Sequence, residues 1–319
     1  MTDLLTRAQI TPLAELLQTD ENSLSSLARL GAHDVQALRN TLSDHIFDSL
    51  AETFARVSKL GQIIPNAVVI AVAEKVVPPE VAGRAGGALG LAYEDRAAAI
   101  LSGMKPTYLA QAAKYVDPRI VPHFAPKLAS HLLIPTAKEM LRRGDYLTAS
   151  RFVEFATDQH IIDFEKEIDD DEGLIRAGAY VSNAGVLDKI LKVAGAVRVE
   201  RMATVCATDS PESVIALLSV LVRISPDVAV PAVEVLLGNI YGDLTSHVLQ
   251  VAASANALGE VLSLAAVLGD DQLNTFATLP LFSDETIRAQ MSNAAQTSEQ
   301  KQTWRRITDA LGESIGSAD

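Results

Sequence analysis

The sequence predicts an all-α fold, an α-solenoid in which short apolar helices stack side by side in an armadillo-like array. Three observations carry that prediction. Apolar residues recur at three- and four-residue spacing, as in Leu38, Leu42, Ile46, Leu50 and Phe54. Strand signals are nearly absent. After residue 78, turn residues return about every 12 to 15 positions, room for one three-turn helix and its connection. The composition agrees: 48% of the 319 residues are hydrophobic and 21% charged, too apolar for a disordered chain.

Residues 1–61 read as N-terminal capping helices, with helical periods over Leu13–Gln18, Asn22–Leu30 and Asp34–Leu60. The run NAVVIAVAEKVV, Asn66–Val77, is the only serious strand candidate, but its Ala and Glu content behind Pro65 predicts a buried helix. Residues 62–169 form the regular repeats. PEVAGRAGGALGLA opens at Pro79, YEDRAAAILSGM at Tyr93, PTYLAQAAKYVD at Pro106 and PRIVPHFAPKLAS at Pro118. Each has Pro or an acid within its first two residues, which suits a first helical turn. Ile134–Arg143 follows, closed by Gly144 at the C′ position. From Thr148 the helices are less regularly spaced, and residues 170–313 continue as less regular repeats before a flexible tail at 314–319. Among their starts, Ser210-Pro211 and Ser225-Pro226 predict N-caps in which the serine accepts a backbone N–H.

Tyr93–Pro118, YEDRAAAILSGMKPTYLAQAAKYVDP, repeats an acidic start, an Ala pair and a closing Met-Lys-Pro or Val-Asp-Pro. On these residues the stretch from about 79 to 170 resembles the helical-repeat cytoplasmic N-terminal domain of MgtE-type magnesium transporters. The resemblance implies stacked short helices. It does not bring magnesium handling with it, since the transporter's nucleotide-sensing and membrane parts have no counterpart here. Arg143–Val181 also resembles uncharacterised bacterial proteins of similar length, which implies a bacterial source but supplies no activity.

The formal net charge of −13 excludes electrostatic capture of nucleic acid or of an anionic membrane surface. The longest nearly apolar stretches, residues 63–73 and Val214–Val222, fall short of the roughly 20 residues that span a bilayer. Met1–Asp20 lacks the pattern of a secretory leader. With Cys206 as the single cysteine, these features predict a cytoplasmic protein whose one thiol is buried.

Chemistry-bearing motifs are few. Asp169, Asp170, Asp171 and Glu172 close the densest acidic run and are weak candidates for a hard cation, although a solvated capping turn explains them without one. The six histidines show no HxxxH or HExxH spacing; His123 and His131 lie eight apart, and His160 sits beside Asp158 and Asp163. There is no GxSxG elbow. The string GRAGGALG, Gly83–Gly90, follows no strand and lacks a phosphate-loop lysine, so a close helix crossing is its expected role. No catalytic residue and no cofactor is predicted. The expected function is a non-catalytic binding or scaffold protein that offers a protein partner its helical surface. The alternative is a carrier or sensor of an apolar small molecule held between helices.

Overall fold

In the computed structural model, which describes residues 4–61, 64–238 and 243–316, the protein is all-α, with no strand among the described residues. The helices are α1 (Leu4–Leu17), α2 (Ala32–Gly61), α3 (Asn66–Val76), α4 (Pro79–Ala92), α5 (Glu94–Leu101), α6 (Pro106–Ala113) and α7 (Val121–Phe124). They continue as α8 (Ser130–Arg142), α9 (Tyr146–Val153), α10 (Asp158–Glu167), α11 (Asp171–Gly178), α12 (Ala184–Thr208) and α13 (Pro211–Leu221). The last are α14 (Pro226–Leu237), α15 (Asp243–Ser254), α16 (Leu258–Ala265), α17 (Asp270–Ala277), α18 (Glu285–Ala294) and α19 (Ser298–Gly316). Glu21–Leu30 is a 3₁₀ helix, capped where Asp20 accepts the Asn22 N–H at 2.8 Å. The candidate strand Asn66–Val77 is helical as α3.

The chain divides into two compact units. One holds Ala8–Gly173 with Tyr180–Ser182; the other holds Met1–Arg7, Leu174–Ala179 and Asn183–Asp319.

In the first unit, helices two apart in sequence pack side by side: α2 on α4, α4 on α6, α6 on α8, α8 on α10, and α3 on α5. The short helices each bury one face this way, which a lone helix of that length needs for stability. The GRAGGALG string is the tightest of these crossings. A Cβ added at Gly83 would lie 2.2 Å from the Ala112 carbonyl oxygen, one at Gly87 3.1 Å from the Asp117 nitrogen, and one at Gly90 2.1 Å from Ile120 Cδ1. These three glycines share one helical face of α4, and Gly86, at the edge of that face, has nothing within 4 Å. Gly144 ends α8 at φ +71°, donating to the Leu141 carbonyl while Asp145 donates to that of Met140, the bond pair of a Schellman cap.

In the second unit α12 packs on α14, α13 on α15, α16 on α18 and α17 on α19, over a core that includes Leu217, Leu236, Leu249, Leu262, Phe276 and Phe282. Gly195, at φ +77°, breaks α12 into two helical halves. Cys206 is fully buried in the second half.

Four expectations need correction. Pro118–Ser130 is not one helix: Pro122 and Pro126 lack the N–H an α-helix needs, and the stretch divides into 3₁₀ turns at Pro118–Ile120 and Ala125–Lys127 around the single turn of α7. Helix α8 starts at Ser130, so Pro135 lies inside it rather than opening it. Ser210 caps α13 as expected, accepting the Ser213 N–H at 3.2 Å. Ser225 does not cap α14; its Oγ and N–H both donate to Asp188, at 2.5 and 2.9 Å, because a carboxylate outcompetes a backbone amide for the hydroxyl. Residues 314–316 of the expected tail continue α19, and 317–319 lie outside the described residues.

Candidate functional site

Two surfaces in the first unit stand apart from ordinary packing. One is apolar and lies on α3. Val68, Val72 and Val76 follow at four-residue spacing, with Ile64 one turn earlier, and are 48%, 49%, 76% and 41% exposed. Spacing of four places the three valines in one row along the helix, and Ile64 lies just ahead of its start at Asn66. The opposite side of α3 is held: Ala73 is buried, Ile70 lies at the place a Gly103 Cβ would occupy, and Tyr108 donates its hydroxyl to the Val77 carbonyl at 3.0 Å. Glu74 accepts the Lys105 N–H at 2.6 Å and so ties α3 to the start of α6. The helix is therefore apolar on both faces, and only one of them is covered among the described residues.

The other surface is a cavity of about 700 Å³. Polar residues reach it in helical register from two elements: Gln36, Arg39, Asn40 and Ser43 from α2, and Ser150 and Arg151 from α9 with Glu154 at its C-terminal cap. Glu15 of α1 accepts an ion pair from Lys114 at 2.7 Å and a longer one from Arg151 at 3.9 Å, and its Oε2 is buried without a protein hydrogen-bond partner. The Glu15 carboxylate holds the Lys114 ammonium above the usual lysine range.

The cavity's arginines differ in how far they are neutralised. Arg119 is saturated: it pairs with Asp117 and Asp48 at 2.7 Å each, and with Asp44 at 3.8 Å, and Asp117 and then Asp48 raise its pKa further. Arg84 pairs with Glu80 at 3.0 Å. Arg39 instead donates only to amide oxygens, Gln9 at 3.1 Å and Asn40 at 3.3 Å. Burial, and then the neighbouring charge of Arg151, lower its pKa; Glu154 opposes the effect. Burial lowers Arg151 as well.

The acidic candidates do not come together. Asp169 and Asp170 are exposed, Asp170 accepts the Gly173 N–H at 2.9 Å as a turn at the start of α11, and Asp171 is buried. Among the described residues, no group of three or more His, Cys, Asp or Glu is placed to hold a metal ion. His123 and His131 are exposed on separate turns. His160 is buried: its Nδ1 accepts the Thr157 N–H at 3.3 Å and its Nε2 bonds the Leu128 carbonyl at 2.8 Å, a reciprocal cap on α10.

Apolar periodicity alone gives no sign of the cavity. The polar positions 36, 39, 40 and 43 repeat at the same helical spacing and were the available signal. Set against known protein families, characterised proteins and solved structures, the chain matches none, so its function is argued from its own surfaces.

Proposed function

We propose that the protein is a non-catalytic binding protein that docks a protein partner, and that the uncovered face of α3 is where the partner sits. The single observation that carries this is the row Val68, Val72 and Val76, exposed on a helix whose other side is packed, with exposed Ile64 just ahead of its start. An apolar row of this length remains in water at a cost of about 25 cal/mol for each Å² of apolar surface, and a partner's apolar helix laid along it would remove that cost. Scattered exposed apolar residues need no explanation, whereas a contiguous row supports an interaction site. The stacked-helix, solenoid-like reading belongs to the same proposal, because an array of short helices exposes one face of a helix while its neighbours fix the other. An apolar cargo has no comparable support: the cavity is lined by Arg39, Arg84, Lys114, Arg119 and Arg151.

The test places a photo-crosslinking amino acid at Val72 in the source cell, with the same residue at Lys138, exposed on α8, as control. A discrete adduct with one other protein, seen at Val72 and absent at Lys138, is the expected result. Equal, diffuse labelling at both positions refutes the proposal, and an adduct of twice the chain's mass replaces the foreign partner with a second copy.

A further inference from the structure

We propose that the cavity of the first unit binds a small molecule through a carboxylate or phosphate group seated between Arg39 and Arg151. In a chain with 27 basic and 40 acidic residues, a cavity lined by Arg39, Arg84, Lys114, Arg119 and Arg151 opposes the overall sign. Its acidic lining is Glu15, Asp44 and Glu154. Structural pairing accounts for Arg84, Lys114 and Arg119, each of which has a carboxylate within 3.0 Å. It does not account for the other two. Arg39 donates to amide oxygens and feels the Glu154 carboxylate only through space, and Arg151, 26% exposed, reaches Glu15 at 3.9 Å and feels Asp145 only through space.

Two like charges brought together with partial loss of water destabilise a fold unless something offsets them. Guanidinium groups are weakly hydrated planar forks whose donors match the two oxygens of a carboxylate or phosphate. An oxyanion between them would satisfy both forks and remove their mutual repulsion. The surroundings fit a small ligand. A volume of about 700 Å³ lies within the usual range for metabolite pockets. Phe47, Tyr115, Phe155 and Tyr180 line the wall in a chain with only 8 Phe, 6 Tyr and 1 Trp, and so provide apolar and ring surface for the rest of the molecule. The buried Glu15 Oε2 accepts no protein hydrogen bond, and a hydroxyl or amine on the ligand would satisfy it.

The experiment titrates inorganic phosphate and succinate separately into the full chain by calorimetry, with sodium chloride at matched ionic strength as control. At least one probe is expected to bind the wild type more tightly than about 1 mM, and the stronger of the two tells phosphate from carboxylate. Arg39→Gln and Arg151→Gln should each weaken that binding about 10- to 100-fold, the loss of a charge-assisted fork. Arg142→Gln, whose partner Glu139 lies outside the cavity, should leave it unchanged. Should Arg151→Gln fail to fold, Arg151→Lys keeps the charge without the fork and should weaken binding about tenfold. The proposal is overturned if neither probe binds the wild type beyond the chloride control, or if both arginine variants bind as the wild type does.

Discussion

Replacing Gly83 and Gly86 of α4 by alanine, one at a time, should change stability in opposite directions although the two positions are less than one turn apart. In an open helix, Gly→Ala is favourable by about 0.8–1 kcal/mol, because alanine loses less backbone freedom on folding. Gly86 has nothing within 4 Å of its would-be Cβ, so that gain should be realised in full. At Gly83 the new carbon would meet the Ala112 carbonyl oxygen at 2.2 Å and Tyr115 Cβ at 2.9 Å. Relief needs about 1 Å of separation between α4 and α6, and the obstacle is backbone, which no rotamer change can move. Overpacking costs roughly 1–3 kcal/mol, and a backbone obstacle belongs at the upper end, so the net loss is about 2 kcal/mol. For a unit of this size that corresponds to a fall of about 4–8 °C in Tm for Gly83→Ala, against a rise of about 2–4 °C for Gly86→Ala. Gly87→Ala, at 3.1 Å from the Asp117 nitrogen, should fall between them. Scanning calorimetry on the three variants measures the order. Equal melting of Gly83→Ala and Gly86→Ala would refute the close crossing.

Cys206 should resist a thiol reagent in the native protein and react fully in denaturant, since it is completely buried; rapid native labelling would show that α12 opens locally. His160→Ala keeps the residue-160 N–H on Thr157 Oγ1 but removes the imidazole half of the α10 cap and the bond to Leu128, and should cost about 2 kcal/mol in urea unfolding; a loss under about 0.5 kcal/mol would show these bonds to be incidental. Asp188 is held down to about pKa 2 by Lys192 and then Ser225. Because its folded pKa lies below the unfolded value near 3.9, the stability it contributes is present above about pH 4 and is lost as pH falls toward 2. Asp188→Asn should therefore flatten that part of the denaturation midpoint-against-pH curve, and a curve parallel to wild type would refute the linkage.

The helical fold was legible because each local signal has a local cause. Pro at first turns, Ser210 before Pro211 and Gly144 after Arg143 act within a few residues, and the structure finds each where its chemistry places it. The misread positions were those where a distant group competes. Ser225 reads as a cap until Asp188, 37 residues away, takes its hydroxyl. The prolines at 122 and 126 each suit a helix start taken singly, and together they leave no room for a helix.

The candidate sites were harder for the same reason. The α3 row is visible as Val68, Val72 and Val76, but a run that is apolar on both faces reads as buried, and only the packed positions of Ala73 and Ile70 show which face is left over. Arg39 and Arg151 are 112 positions apart, and no spacing rule links them. What the sequence did hold was the polar register at 36, 39, 40 and 43 on α2, beside the apolar row that predicted the helix. A solvated face accounts for such a register in most helices. Here α9 packs its own Ser150 and Arg151 against the same cavity, so the second polar face no longer belongs to solvent alone. If Arg39 and Arg151 served only to cover the apolar surface beneath their stems, methionine at either position would preserve stability and leave no anion affinity to lose. The proposed site makes the opposite demand: Arg39→Met should raise stability by relieving repulsion from Arg151 while weakening oxyanion binding. That pairing of gain and loss is the signature of charge kept for a ligand rather than for the fold.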